Sequence, residues 1–266
     1  MNKLERKMVE ILEKGKHLHG VVSVKAEFEA EGTRTDELLR LVDVSRSAQL
    51  PITLKIGGCE AIRDLLEAKQ IGVKYIVAPM IETPYALTKY IKAIDLVYSE
   101  DERMDTDFLF NMETITAYEH RNELVEVASE KLAGIVFGRV DFSGSMGLGR
   151  DAIETPEITE KICEMGALTK RAELDLVMGG AISVDALPRL KEVASIHLSR
   201  FETRKVVFSG ESVSGDEITG GLLNAVHFEL LWLLNKRDYY SNITKEDQTR
   251  IEMLEARWKV LGKEVF

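Results

Sequence analysis

Residues 107–141 read DFLFNMETITAYEHRNELVEVASEKLAGIVFGRVD. The apolar runs near its two ends, Phe108–Met112 and Ile135–Val140, have the length and composition of buried strands. The residues between these runs have the periodicity of a helix. A strand, a helix and a second strand in this order predict two neighbouring parallel strands, because parallel strands need a long crossover connection. This unit is typical of a parallel sheet covered by helices.

The same alternation of strand and helix patterns continues over most of the chain. The strand candidates are Val21–Glu29, Ile52–Ile56, Tyr75–Ala78, Asp107–Met112, Ile135–Val140, Leu174–Met178, Ile196–Leu198 and Lys205–Phe208. Helical stretches with start signals lie between many of them, at Glu37–Ala48, Glu60–Ala68, Tyr85–Ile94 and Ala186–Val193. The pattern predicts a (β/α)₈ TIM barrel that residues 1–266 form as a single domain, which is the usual size of this fold.

The connection between the last two strand candidates departs from the barrel pattern. The segment between them, Ser199–Arg204, is too short for a crossover helix. Either one strand is wrongly placed or the barrel closes irregularly, and an open doubly wound sheet is the alternative fold.

The C-terminal part of the sequence predicts extra helices outside the barrel. Gly220–Arg237 is apolar on more than one face, and a second helix is predicted over Lys245–Leu261. We therefore expect residues 220–266 to form a helical extension that is domain-swapped or lies at a subunit interface of a homo-oligomer.

Composition excludes several classes of partner. The formal net charge is −10, with acidic residues spread along the chain, so a phosphate backbone would be repelled and nucleic acid is not expected. The N-terminal residues lack the apolar core of a signal peptide, and no apolar run is long enough to cross a bilayer. Cys59 and Cys163 are too few for a disulfide framework. These features predict a cytoplasmic protein without a membrane partner.

Polar residues at the carboxyl ends of the strands are the candidates for the active site, because that end of a TIM barrel carries the chemistry. Glu113 and Asp141 follow two consecutive strands, so their carboxylates are predicted to lie on the same rim. Two carboxylates that leave positions free for water and substrate suit Mg²⁺ or Mn²⁺. The alternative is that each acid only caps the helix that follows it.

Four segments resemble, in order and spacing, the strand-end motifs of the HpcH/HpaI aldolase and citrate lyase family. They read TLKIGG at 53–58, IVAPMIET at 76–83, NMET at 111–114 and FGRVDFS at 137–143. The resemblance extends from about Val21 to Met178, and the Glu-Thr and Gly-x-x-Asp motifs are its most specific part.

The resemblance implies that Glu113 and Asp141 hold a divalent metal, Mg²⁺ or Mn²⁺. It also implies a 2-oxo acid substrate such as pyruvate, whose keto and carboxylate oxygens bind the metal. The backbone amides around Gly138, Arg139 and Val140 would receive the substrate carboxylate. A cation beside the keto oxygen would stabilise the pyruvate enolate that forms when a carbon–carbon bond breaks.

Two departures from the family pattern concern the remaining catalytic residues. Lys55 stands where the family has an arginine. A lysine at the end of a barrel strand could also form a Schiff base with the substrate, which is the alternative mechanism. The histidine that the aldolase branch uses after an early strand is absent. Glu27 or Glu29 is therefore predicted to act as the base, with water on the metal as the other candidate.

Arg34, Glu82 and the run Glu202–Lys205, which includes Arg204, are predicted to bind the rest of the substrate, for which a hydroxylated or anionic aldehyde is suitable. A surface cluster of ion pairs is the alternative for these residues. The sequence thus favours a metal-dependent aldolase or lyase acting on a 2-oxo-4-hydroxy acid. A citrate-lyase-like enzyme acting on an acyl-CoA and a non-catalytic barrel subunit or binding protein are the alternatives.

Overall fold

The computed structural model describes the backbone of residues 1–265 and the side chains of residues 1–258. Its strands form one closed barrel in which each strand pairs with its neighbours in sequence and the last pairs with the first. The strands are β1 Val21–Glu27, β2 Ile52–Lys55, β3 Tyr75–Ala78, β4 Asp107–Met112, β5 Gly134–Gly138, β6 Asp175–Gly179, β7 Arg200–Glu202 and β8 Val206–Ser209. The predicted barrel is confirmed.

Helices surround the barrel and connect its first seven strands. They are α1 Lys3–Leu18, α2 Thr35–Ser47, α3 Ile62–Ile71, α4 Pro84–Val97, α5 Ile115–Glu119, α6 Arg121–Ser129, α7 Arg139–Ser145, α8 Pro156–Arg171, α9 Leu187–Ala194 and α10 Ile218–Val265. Local signals explain several starts: the Thr83 and Thr114 side chains accept hydrogen bonds from the backbone at the N-termini of α4 and α5. No helix in the described part of the chain combines the length and the apolar composition needed to cross a membrane.

The last two strands differ from the prediction. Strand β7 is Arg200–Glu202, so the predicted strand at Ile196–Leu198 was wrong, and those residues form the turn after α9. Two of the three residues of β7, Arg200 and Glu202, are polar and face the barrel interior. The prediction selected the more apolar segment just before them, and this was the reason for the error. Strand β8 pairs antiparallel with both β7 and β1.

A tight hairpin replaces the missing crossover helix between β7 and β8. The Thr203 backbone N–H donates to the carbonyl of Val206 over 2.9 Å, and the Val206 N–H donates to the Thr203 hydroxyl over 3.1 Å. Because β8 runs opposite to the other strands, its amino end, rather than its carboxyl end, lies at the mouth of the barrel. The short segment that the sequence showed here is thus explained by an irregular closure.

The C-terminal helix α10 is continuous, so the prediction of two separate helices was wrong. No glycine or proline occurs between Arg237 and Lys245 to end a helix there. The first half of α10 packs on α1, and Asn235 bonds to Asn2 and Glu5. Further along, Lys236 and Tyr240 bond to Glu37 in the first turn of α2. The helix therefore rises from the bottom of the barrel to the level of the mouth.

Side chains alternate between the barrel interior and the surrounding helices, as a sheet requires. The middle of the interior is a small apolar cluster of Val77, Leu109, Val136 and Val177. The main core lies between the outer face of the sheet and the helices. Towards the mouth, the interior becomes polar and charged, and the candidate site begins there.

Candidate active site

Glu113 lies directly after β4 and is almost completely buried at the mouth. Its Oε1 atom accepts a hydrogen bond from the Met80 backbone N–H over 2.9 Å. Its Oε2 atom accepts one from the Asn111 amide over 2.6 Å. These donors fix the orientation of the carboxylate, as hydrogen bonds to metal-binding carboxylates commonly do.

Gly138, at the end of β5, leaves the space that the Glu113 side chain occupies. A Cβ atom at position 138 would lie 2.8 Å from Glu113 Cβ and 2.9 Å from Glu113 Oε2. Three residues further on, Asp141 lies in the first turn of α7 with an exposed side chain. The adjacent ends of β4 and β5 thus bring the two predicted metal ligands to one side of the mouth.

The donor set around Glu113 fits a hard divalent cation with an incomplete protein shell. Within the described residues, no three Asp, Glu, His or Cys side chains are grouped closely enough to hold an ion by themselves. Mg²⁺ is commonly bound by one or two carboxylates, with water and substrate completing the octahedron. The buried carboxylate of Glu113 and the exposed one of Asp141 would be the two protein ligands of such an ion. The Oδ1 atom of Asn111, also buried here, accepts no hydrogen bond from the described residues.

Gly180, which the sequence analysis did not select, packs closely against the start of α7. Its φ of +84° is one that residues with a side chain rarely adopt. A Cβ atom at position 180 would lie 2.8 Å from the Val140 backbone nitrogen and 3.0 Å from that of Arg139. Glycine at this position therefore lets the chain after β6 pass close to the backbone at the start of α7.

Three buried lysines and five glutamates form a charged layer at the mouth, which we call the mouth network. Its members are Lys25, Lys55, Lys205, Glu27, Glu29, Glu31, Glu113 and Glu202. Lys25 bridges Glu27, at 3.0 Å, and Glu202. Lys55 bridges Glu29, at 2.9 Å, and Glu113, at 3.4 Å. Each lysine thus neutralises carboxylates that would otherwise be buried without a partner.

The charge of Lys55 is maintained by the acids around it. Burial alone would lower the pKa of its ammonium, but the nearby charges of Glu113 and Glu29 outweigh this effect and raise the pKa. A lysine that forms a Schiff base must lose its proton before it can attack a carbonyl. The environment of Lys55 therefore favours a permanent positive charge over a nucleophile.

The two acids predicted as bases differ in their surroundings. Glu27 is buried, and although burial raises its pKa, the Lys25 ammonium outweighs this and lowers it below the ordinary value. Glu29 is 26% exposed, and its Oε2 atom accepts no well-aligned hydrogen bond from the described residues. Of the two, Glu29 is the more accessible from the mouth.

The predicted substrate-binding residues lie in different environments. The Arg139 side chain is fully buried and bonds to the carbonyl of Gly180 and to Glu154, so only its backbone can meet a substrate. Arg34 is exposed, stacks on Tyr240 and lines an open pocket beside β1. Arg204 is half-exposed and lies 3.5 Å from Glu31. Glu82, in the loop after β3, is partly exposed.

Sequence reasoning missed Lys25 and Glu31 as members of the mouth network. One signal could have revealed the first of them: Ser23, Lys25 and Glu27 alternate along β1 on the face that the barrel encloses. A charged residue in the middle of such a face predicts an interior partner. Lys205 lies in the Glu202–Lys205 run that the sequence analysis selected, and its partner is Glu31.

A barrel with a fixed carboxylate, an exposed aspartate and buried lysines at its mouth has the features of a barrel enzyme. The profile of the HpcH/HpaI aldolase/citrate lyase family matches residues 36–206. The chain belongs to this family of lyases, and the predicted resemblance is confirmed.

Solved structures show the same fold at low sequence identity. An HpcH/HpaI aldolase from Desulfitobacterium hafniense DCB-2 has a TM-score of 0.59 at 13% identity, over 74% of this chain and 82% of that one. An HpcH/HpaI aldolase/citrate lyase family protein from Burkholderia cenocepacia J2315 has a TM-score of 0.54 at 14% identity, over 74% and 90%. A variant of the citrate synthase SbnG has a TM-score of 0.53 at 12% identity, over 74% and 80%. No curated protein matches the chain significantly.

Proposed function

We propose that this protein is a metal-dependent aldolase that breaks or forms the C3–C4 bond of a 2-oxo-4-hydroxy acid, with pyruvate as the enolate-forming product. The observation that carries this proposal is the buried Glu113 carboxylate, which accepts hydrogen bonds from two donors. It lies against Gly138, and Gly138 is three residues before Asp141 in the sequence. Membership of a lyase family supports the reaction type.

Glu113 and Asp141 would hold the Mg²⁺ or Mn²⁺ ion. When bound, such an ion supplies a Lewis acid that stabilises negative charge developing on the keto oxygen. The Arg139 and Val140 amides would receive the substrate carboxylate, as the family resemblance implies, and so fix the orientation of the 2-oxo acid. Lys55, at 3.4 Å from Glu113, adds a second positive charge on the same side of the mouth.

Glu29 is our candidate for the proton-transfer group, because it lies at the mouth and contacts the same Lys55 ammonium that contacts Glu113. In the cleavage direction, Glu29 takes the proton of the C4 hydroxyl, and the C3–C4 electron pair passes to the keto group as the bond breaks. The aldehyde leaves, and protonated Glu29 then delivers its proton to C3 to give pyruvate. Addition runs through the same steps in reverse.

The test is exchange of the C3 protons of pyruvate for deuterium, followed by NMR in deuterated water. We expect exchange with Mg²⁺ or Mn²⁺, a decrease of at least about 100-fold with a chelator, and recovery when the ion is returned in excess. Exchange that survives chelation but is lost in Lys55→Met would favour an imine mechanism. Absence of exchange with every 2-oxo acid tested would reject the proposal.

A pair of variants separates the two candidate bases. Glu29→Gln is expected to slow exchange by about 10²-fold, the usual contribution of a general base. Glu27→Gln removes the same charge from a residue held by Lys25, so we expect a change below about 10-fold. Rates of exchange at saturating metal and pyruvate provide the comparison. Equal losses in the two variants would contradict the assignment of Glu29.

A further inference from the structure

The outward face of the first half of α10 is apolar although it does not contact the barrel. Leu223, Val226, Leu230 and Leu233 are each more than half exposed, with Leu223 at 69%. Their opposite neighbours on the helix, including Phe228 and Leu231, are buried against the barrel. We call these four residues the outer stripe. An exposed apolar row of this kind generally marks a contact surface.

Beyond Tyr240, the helix leaves the barrel, and every side chain from 241 to 258 is exposed. We call this segment the arm. It carries a second apolar group, Ile251, Leu254 and Trp258, in which Trp258 is 75% exposed. A surface tryptophan on a projecting helix is costly to leave in water, which again indicates a partner.

The two apolar groups follow one continuous seam. The positions 223, 226, 230, 233, 237, 240, 244, 247, 251, 254 and 258 are separated alternately by three and four residues. This is the a and d spacing of a coiled coil, and it extends over more than four heptads. In the middle, the seam is occupied by Arg237, Thr244 and Asp247 and by Tyr240, whose hydroxyl donates to Glu37 of the barrel helix α2. Polar residues within a seam select register and orientation at some cost in stability.

We propose that the seam pairs antiparallel with the same seam of a second copy of this chain. The register that faces apolar residues with apolar residues places Leu233 opposite the partner's Ile251 and Leu230 opposite the partner's Leu254. The arm of each protomer then covers the outer stripe of the other. The overlap from 226 to 258 is about 50 Å long at 1.5 Å per residue.

Charge complementarity selects this arrangement over a parallel one. In the antiparallel register, Arg237 faces the partner's Asp247 within the seam, and Glu229 flanks the partner's Arg257. In a parallel in-register pair, Arg237 would meet Arg237 and Asp247 would meet Asp247, so like charges would be buried against each other. Arg237 is exposed in the single chain and lies 3.2 Å from its neighbour Asp238.

Oligomeric state tests the proposal with a matched pair of variants. Leu254 is 49% exposed and lies on the seam, whereas the adjacent Met253 is 51% exposed and lies off it. We expect the full-length protein and Met253→Glu to sediment as dimers at micromolar concentration. Leu254→Glu should weaken dimerisation by at least about 100-fold, because an unpaired charge would enter the interface. A monomeric parent chain, or equal behaviour of the two variants, would overturn the proposal.

Cysteine cross-linking tests orientation. The Arg237→Cys and Asp247→Cys chains, each also carrying Cys59→Ser and Cys163→Ser, are oxidised separately and after co-expression. We expect a disulfide-linked dimer only from the co-expressed chains. In the antiparallel register, the two copies of position 237 are about 15 Å apart, too far for a disulfide. Cross-linking of either chain alone, or none in the mixture, would reject the register.

Discussion

Glu113→Gln is expected to reduce the pyruvate exchange rate by at least about 10³-fold, which corresponds to about 4 kcal/mol of activation free energy. Glutamine retains the size of the side chain and can still accept a bond from the Met80 N–H. It removes the negative charge that would hold the cation and balance Lys55. The exchange rate should be measured over a titration of Mn²⁺, because weaker ion binding would shift the titration and a lost catalytic role would lower its plateau.

Asp141→Asn is the companion variant, because the exposed side chain of Asp141 makes no contribution to the core. We expect a large loss of exchange without a change in thermal unfolding. Asp43→Asn, an equally exposed change on the outer helix α2, serves as the control and should leave exchange unaltered. Full activity in both Glu113→Gln and Asp141→Asn would show that neither carboxylate holds a required ion.

Lys25→Met is expected to lower the free energy of unfolding by about 3–5 kcal/mol. Its ammonium contacts Glu27 and Glu202 inside the barrel, and all three residues are buried. Methionine has a similar length but leaves two carboxylates without their common partner. Urea unfolding at neutral pH measures the loss. Lys74→Met, which breaks a half-exposed pair with Asp107, should cost less than about 1 kcal/mol.

The pH dependence of Lys25→Met provides an independent check. Without Lys25, burial is opposed only by the charges of Lys55 and Arg204, so we expect the folded-state pKa of Glu27 to rise. The penalty is then fully present at neutral pH and decreases as the pH falls through that raised pKa, because protonation removes the buried charge. A variant as stable as the parent chain at every pH would show that these carboxylates do not depend on Lys25.

The fold was predictable from sequence where each strand has an apolar run followed by an amphipathic helix. This holds from β1 to β6, for which the predicted strands overlap the observed ones. It fails at β7, a strand of three residues with polar side chains facing inwards. Strand direction at β8 depends on how the barrel closes, and the composition of residues 199–209 does not express this. The short connection was the one local sign of irregular closure.

The site was predictable to the extent that it consists of residues after parallel strands. Glu113 and Asp141 were predicted at the mouth in this way, whereas the partners that hold Glu113 were not. Met80 contributes only a backbone N–H, which any residue except proline could supply. Lys25 lies inside a strand, and its role depends on Glu202, which is 177 positions away in sequence. Such pairings become visible only when the barrel has closed.

The reversal of β8 determines where the chain's two ends are displayed. If the last strand were parallel to the others, the C-terminal helix would start at the mouth and descend along the outside of the barrel. With β8 reversed, α10 starts at the bottom and ascends, reaching Glu37 and Arg34 beside the substrate entrance. The N-terminus meets the same helix through Asn2 and Asn235. A tag or fused domain at the N-terminus would therefore stand on the mouth side of the barrel, the side from which the arm also extends.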